Sequence, residues 1–404
     1  MKRLLIILIV ALTAISAASA QPKIPSRQRL IDSNPLRKNI IIPQVNGYNC
    51  YKAELHCHTI YSDGQVTPSW RVQEAWLDGL DILAITDHLE VRRYEPTILE
   101  HLRKYNPDGK PHKYVYAGSA KVPVNDDPVM SDFNVSYREA EKAAQKYPIH
   151  VIKATEISRT KATGSDFNAL FVKDIDAIYD KDHYQVLRNA RKQGCFIIHN
   201  HPLIRRADAT MTEFEEKAMA EGLFDGIEVV NGVTFYPEIV RRAIENKLFM
   251  AATSDAHIPV AATMNQQDGI FRTMTLIFAK ENTEKGIKEA LKARRTLGYS
   301  GGHIIGEEQL LKDLFNASVK VQIINEDKKG GRTYLLSNNS SLAYTLVRSK
   351  VQYKIPAFQM TMITIKGNRD HEPVAPTFKV ANMWHIDCKQ LSIELDVTDK
   401  KTKK

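Results

Sequence analysis

The sequence predicts an α/β barrel followed by a small antiparallel β-sandwich, and three observations carry that reading. Between residues 51 and 278, short continuous apolar runs alternate with stretches of helical spacing, the pattern of parallel strands covered by helices. The residues that end those runs are rich in histidine and carboxylate, as at the C-terminal mouth of a barrel. Beyond residue 317 the spacing changes to period two, interrupted by turn-rich pieces, which suits antiparallel strands.

Taken in order, the chain opens with an export leader. Lys2 and Arg3 precede an apolar stretch too short to span a bilayer, and Ala18-Ser19-Ala20 supplies a cleavage site before Gln21. With no Cys near the cut, no lipid anchor is indicated, and no transmembrane segment remains after cleavage. The expected organisation is a leader at 1–20, a barrel at 21–300 and a β domain with a basic tail at 301–404, in a periplasmic or secreted protein. Losing Lys2 and Arg3 takes the formal charge from +9 to +7. That surplus is dispersed or held in Lys400-Lys401-Thr402-Lys403-Lys404, a solvated end, so no stable nucleic-acid binding is expected.

Four cysteines are too few for a disulfide scaffold. Cys57 and Cys195 read as packed hydrophobes, and export permits a disulfide for which Cys50 is the best partner.

The strand candidates of the barrel are 53–56, 82–86, 149–155, 167–172, 195–199, 226–230, 248–253 and 274–278. The helical stretches are 69–80, 137–147, 184–193, 212–221, 237–246 and 284–295. Thr67-Pro68 is a helix start, and Gly194 and Gly222 are helix stops. About seven such units suit a closed barrel better than the alternative, an open doubly wound sheet. Residues 298–302, with three glycines, read as a flexible join. The later strand candidates are 319–324, 343–347, 358–365 and 391–397, enough for a small sandwich.

Nearly every barrel run ends in groups able to bind a metal ion. His56 and His58 follow the first and, two apart on an extended segment, project together; Asp63 stands in the turn after them. Thr86-Asp87-His88 closes the second run and Glu156 follows the third. His199-Asn200-His201-Pro202, Asn231-Gly232 and Ser254-Asp255-Ala256-His257 end later ones. A barrel gathers all these ends on one face. One such pair arises easily among thirteen histidines, but the same chemistry at strand end after strand end does not. A metal centre is predicted. His371 and His385 have no such company and read as ordinary residues.

HxHTxxSDG at 56–64, ITDH at 85–88, the strand-end Glu156, HNHP at 199–202 and SDAH at 254–257 occur in this order. Together, over about residues 52–278, they resemble the PHP (polymerase and histidinol phosphatase) family of metal-dependent phosphoesterases. The resemblance implies a distorted (β/α)7 barrel holding two or three divalent ions, Zn, Mn or Fe. It implies that His56, His58, Glu156 and Asp255 hold one ion, that Glu156 bridges to a second held by His201, and that Asp63, His88 and His257 hold a third. Family members usually supply one more histidine before the HP motif. Here Asp166 falls about there, and either Asp166 or His199 completes the second site.

The implied chemistry is hydrolysis of a phosphate ester by water whose pKa the ions lower from 15.7 to about 7. His257 or His199, where not metal-bound, would donate the leaving-group proton. Arg92, Arg205 and Arg206 would clamp phosphate. Asp87 would orient a ligand histidine, and Asn231 would reach substrate or water. Export favours scavenging from nucleotides, sugar phosphates or phosphodiesters over histidinol phosphate hydrolysis or proofreading. Specificity is expected in the patternless insertion at 95–132. Two other readings share the metal centre. One is an amidohydrolase-like cleavage of a C–N or C–O bond, disfavoured because Glu156 fills the bridging position. The other is an inactive interaction protein whose β domain contacts a protein or glycan.

Overall fold

A parallel crossover needs a dozen or more residues, and a chain given fewer must double back. That rule shapes this sheet. The computed structural model describes residues 36–90, 133–204, 206–266, 269–395 and 397. The expected leader, the insertion at 95–132 and the basic tail lie outside them.

Strand β1 (Asn49–Glu54) leads to the loop of His56 and His58. Helix α1 (Pro68–Leu77) follows, with the Thr67 hydroxyl accepting from the Trp70 amide and proline in the first turn, where its missing N–H costs nothing. It returns the chain to β2 (Ile82–Ile85), parallel to β1. Helix α2 (Val135–Ala144) precedes β3 (His150–Ser158), parallel to β2. The link to β4 (Asp166–Leu170) is only residues 159–165, one helical turn closed by Gly164 at φ +79°. Accordingly β4 runs antiparallel to β3, and antiparallel again to β5 (Phe196–Asn200) after helix α3 (His183–Lys192). Helices α4 (Glu213–Ala220) and α5 (Pro237–Glu245) then carry parallel crossovers to β6 (Gly226–Asn231) and β8 (Phe249–Thr253), with a two-residue β7 (Thr234–Phe235) folded back on β6.

Strand β9 (Met274–Ala279) returns antiparallel to β1. Each expected apolar run therefore holds a strand, but those at 167–172 and 274–278 are antiparallel and the sheet is mixed. Between β8 and the strands that follow it, β9 and β10, threonine side chains carry hydrogen bonds. Thr275 Oγ1 accepts from the Ala252 amide at 3.0 Å and donates to its carbonyl at 2.9 Å. Thr296, on β10 (Thr296–Ser300) after helix α6 (Glu284–Lys292), accepts from the Met250 amide at 3.2 Å.

The expected flexible join is a tight hairpin. Gly301 and Gly302, at φ +54° and +89°, turn β10 into β11 (His303–Ile305), a geometry that favours glycine at both positions. Helix α7 (Glu308–Ser318), not foreseen in the sequence, packs Leu311, Leu314 and Phe315 inward. Strands β12 (Val319–Glu326), β13 (Arg332–Asn338) and β16 (Met360–Ile365) form an antiparallel sheet of their own. Strands β14 (Tyr344–Arg348), β15 (Val351–Ile355), β17 (Thr377–His385) and β18 (Lys389–Glu394) instead extend the large sheet through a parallel β11–β17 contact. One apolar core runs from Leu276 and Leu297 through Phe315 to Tyr334 and Phe378, and Arg37–Lys404 form one compact unit. The boundary expected near residue 300 falls inside that unit, between β10 and β11. All four cysteines are free, and only Cys388 is exposed.

Candidate metal centre

The loops that carry the predicted ligands are fixed by buried charge. Glu54, at the end of β1, accepts from the amides of His56 (3.0 Å) and Ser254 (3.1 Å) and pairs with buried Arg272. It thus ties the loops of His56 and Asp255 together at their base. Arg71 of α1 ties them again, donating from Nε to the His58 carbonyl (3.0 Å) and from Nη2 to the Ala256 carbonyl (2.6 Å). Asp87 accepts from the Thr59 amide and hydroxyl and the Ser62 hydroxyl, each at 2.7 Å, and from Ser136 at 2.5 Å. Its expected role is corrected: it holds the ligand loop, not a ligand ring. Gly64 is required there, because a Cβ would come within 2.6 Å of the His58 and Thr59 backbone.

So held, the side chains converge in interlocking groups. His56 Nε2 and His58 Nε2 lie 3.1 Å apart, with Asp255 Oδ1 at 3.2 and 3.0 Å from them, Glu156 Oε1 3.6 Å from His56 Nε2 and Glu156 Oε2 3.6 Å from His58 Nε2. His56 Nδ1 donates to Glu228 Oε1 at 2.7 Å. A carboxylate only accepts, so a neutral His56 ring would turn the lone pair of Nε2 inward. His56, His58 and Glu156 form one group of ligand atoms within 4.8 Å of one another, and His56, His201 and Asp255 another, spacings that an ion with bonds of about 2.0–2.1 Å can bridge. The residues therefore fit a divalent cation.

A second group adjoins it. Asp63 Oδ1 lies 3.2 Å from His88 Nε2, 3.1 Å from His257 Nε2 and 3.8 Å from His58 Nδ1. His257 Nδ1 donates to the Asp255 carbonyl (2.8 Å) and His88 Nδ1 to Ser158 (2.5 Å), with Glu156 Oε2 2.8 Å from the same nitrogen, so both present Nε2 to the same point. His58 Nδ1 is buried without a hydrogen-bond partner, as expected of a ring facing both groups. A third set, Glu156, Asp166 and His201, brings ligand atoms near one another, with His201 Nε2 3.3 Å from Glu156 Oε1.

Electrostatics match this donor set. Burial disfavours the charged ring of His56, yet Asp255, Glu228 and Glu156 outweigh it and hold its pKa well above the ordinary value. His201 is likewise lifted to about 9, against burial, chiefly by Glu156. His58 goes the other way, lowered to about 4 by burial and then by His88 and His257. Burial opposes ionisation of Glu156, but His88 and His56 hold its carboxyl well below the usual range. The carboxylates stay charged, and the ring shared by both groups stays neutral.

The remaining expectations separate. Asp166 reaches the third set, but Oδ1 also accepts from the amides of Arg159 (2.5 Å) and Thr160 (2.7 Å) and Oδ2 from the Thr160 hydroxyl, so it caps a turn as well. His199 is excluded, both as ligand and as proton donor. Strand β5 ends at Asn200 and His201 has φ +25°, which breaks the alternation that would have put the two histidines on one face. His199 instead stacks on Phe167 and lies 3.2 Å from Glu215 of α4. Arg206 pairs with Glu215 at 2.6 Å and does not serve as a phosphate clamp. Asn231 donates to Glu228 (2.9 Å) and Asp255 (3.3 Å), positioning both. Arg92 and Arg205 lie outside the described residues.

Sequence reasoning missed Glu228. Fully buried, it takes His56 Nδ1 and the Thr253 hydroxyl (2.6 Å) on Oε1, and the His201 amide (2.7 Å) on Oε2. The available signal was a carboxylate between Ile227 and Val229 in an otherwise apolar run, since buried charges need partners. Replacing it by Glu228→Gln lowers metal affinity by about 10–100-fold, read by titration against a chelator. Unchanged affinity would assign it to packing alone.

Interlocked histidines and carboxylates able to bind metal thus stand at the strand ends of an α/β sheet. The PHP domain model matches residues 54–292, and the chain belongs to the PHP family. A crystal structure from Bacteroides vulgatus, of a two-domain protein containing a predicted PHP-like metal-dependent phosphoesterase, aligns with TM-score 0.75 at 29% identity, covering 91% of this chain and 99% of that one. More distant likenesses include an amidohydrolase from Chromobacterium violaceum, with TM-score 0.35, 14% identity and coverage of 54% and 91%. Another is a lesion-specific endonuclease from Pyrococcus furiosus, with TM-score 0.39, 14% identity and coverage of 64% and 59%. Comparison with curated proteins gives no match.

Proposed function

We propose that the chain is an exported phosphoesterase that hydrolyses small phosphate esters with two or three Zn, Mn or Fe ions. The observation that carries this reading is the sharing of His58 and Glu156 between neighbouring ligand groups, which suits cations close enough to grip one phosphate. His56, His58, Glu156 and Asp255 would hold one ion, Asp63, His88 and His257 another, and His201 with Glu156 and Asp166 a third. Bound there, divalent ions offset phosphate charge and lower the pKa of attacking water.

The chain's own residues do the rest. Glu228 keeps His56 in the tautomer that presents Nε2, and the Asp255 carbonyl does the same for His257. His257 has a side chain 37% exposed and is the ligand nearest solvent. With Nε2 given to the ion it has no proton to pass to the leaving group. Arg92 and Arg205 keep their proposed role as phosphate clamps. The C-terminal strands are free to engage a protein or glycan.

The test is a panel of phosphomonoesters and diesters, with amide and lactone substrates alongside, assayed on metal-loaded and chelator-stripped protein with metal analysis. Metal-dependent phosphate release is expected. Turnover in stripped protein, or hydrolysis of amides or lactones without phosphate release, overturns the reading.

A further inference from the structure

A groove of about 360 Å³ opens beside the metal ligands and shares Asp255 and His257 with them. One wall is the turn between β6 and β7, where Gly232 (φ +60°) and Val233 cross from Asn231 to Thr234. The other is the loop after β8, with Ile258, Thr263 and Met264. Both follow C-terminal strand ends, the side on which the metal ligands gather. A larger cleft of about 670 Å³ at Arg241 and Asp387 shares no residue with the metal groups and is set aside.

Away from Asp255 and His257 the groove's side chains are mostly apolar, and its hydroxyls are already hydrogen-bonded. Val233 is 70% exposed, while Met264 packs with Ala256 and Val260 as a small buried cluster. The Thr263 hydroxyl donates to the Val260 carbonyl at 3.0 Å. The Ser254 hydroxyl accepts from Arg272 at 3.0 Å, and the Gly232 carbonyl accepts from Thr273 at 2.5 Å. A sugar hydroxyl entering here would lose water and gain little in return, which is costly. A hydrocarbon group would gain from burial. The volume lies within the range of about 300–1,000 Å³ usual for small-molecule clefts.

Resting on the phosphoesterase reading, we propose that this groove holds the leaving group of the ester and selects an apolar one. Phosphate would meet the cations that Asp255 and His257 hold, and the hydrocarbon part would lie between Val233 and Met264. The preferred substrates are then phosphate esters of apolar alcohols, not of sugars.

Two measurements on Mn-loaded protein separate this proposal from the reading beneath it. The first compares binding of cyclohexylmethylphosphonate and methylphosphonate, which cannot be hydrolysed. The cyclohexyl compound binds about tenfold tighter or more, and Val233→Asp, at an exposed position, removes most of that preference. Equal binding of the two, no binding of either, or a preference untouched by Val233→Asp overturns the groove. The second compares hydrolysis of cyclohexylmethyl phosphate and glucose 6-phosphate, both primary alkyl esters. A kcat/KM about tenfold higher or more for the apolar ester is expected, and equal or better turnover of the sugar ester overturns the proposal. Phosphonate discrimination without phosphate release from either ester overturns the phosphoesterase reading and leaves the groove's apolar preference standing.

Discussion

Replacing Asp255 with alanine empties the first ion site and lowers phosphate release by about 10³-fold. The carboxylate lies 3.0 Å from His58 Nε2 and 3.2 Å from His56 Nε2, so its loss leaves two imidazoles and a single carboxylate at that site. His58→Ala has the same consequence and reaches further, since that ring also faces the Asp63 group through Nδ1. Metal content by mass spectrometry, turnover and circular dichroism together check this. A folded Asp255→Ala protein with full metal and full activity would remove the site from the mechanism.

Arg272→Ala lowers stability by about 3–5 kcal/mol, the cost of leaving a buried carboxylate without its cation. Arg272 is 3% exposed and Glu54 is fully buried, and Glu54 in turn takes the amides of His56 and Ser254. Urea unfolding of the metal-free protein measures the effect apart from ion binding. A loss below about 1 kcal/mol would mean that the pair contributes no more than an exposed one. Because Glu54 joins both ligand loops, the surviving fold should also bind metal less tightly.

The ligands were legible because each follows an apolar run, and apolar runs announce buried strands. Their supports were not. Glu54, Arg71, Glu228 and Arg272 sit inside or beside buried elements, where a charge reads as an exception until its partner is known. Strand direction was legible only in part. The seven residues between β3 and β4 are too few for a crossover, a count available in the sequence, but the apolar pattern of β4 matches that of its parallel neighbours. His199 misled because period-two spacing was carried one residue past the strand, across the positive φ of His201. In the C-terminal part, β17 was missed because its pairing with β18 shifts between Val380 and Trp384, and a bulge resets the alternation that betrays a strand.

The parallel contact of Ile304 and Ile305 with Met383 and Trp384 has a thermodynamic meaning. It makes the C-terminal strands a continuation of the large sheet, with a common core behind them. Pulling them away would bare a sheet edge and the apolar faces of α7 and β10 together. The metal-bearing and C-terminal parts thus share one cooperative unfolding fate. Anything that ordered the outer strands would steady the sheet from which β1 and its histidines are hung.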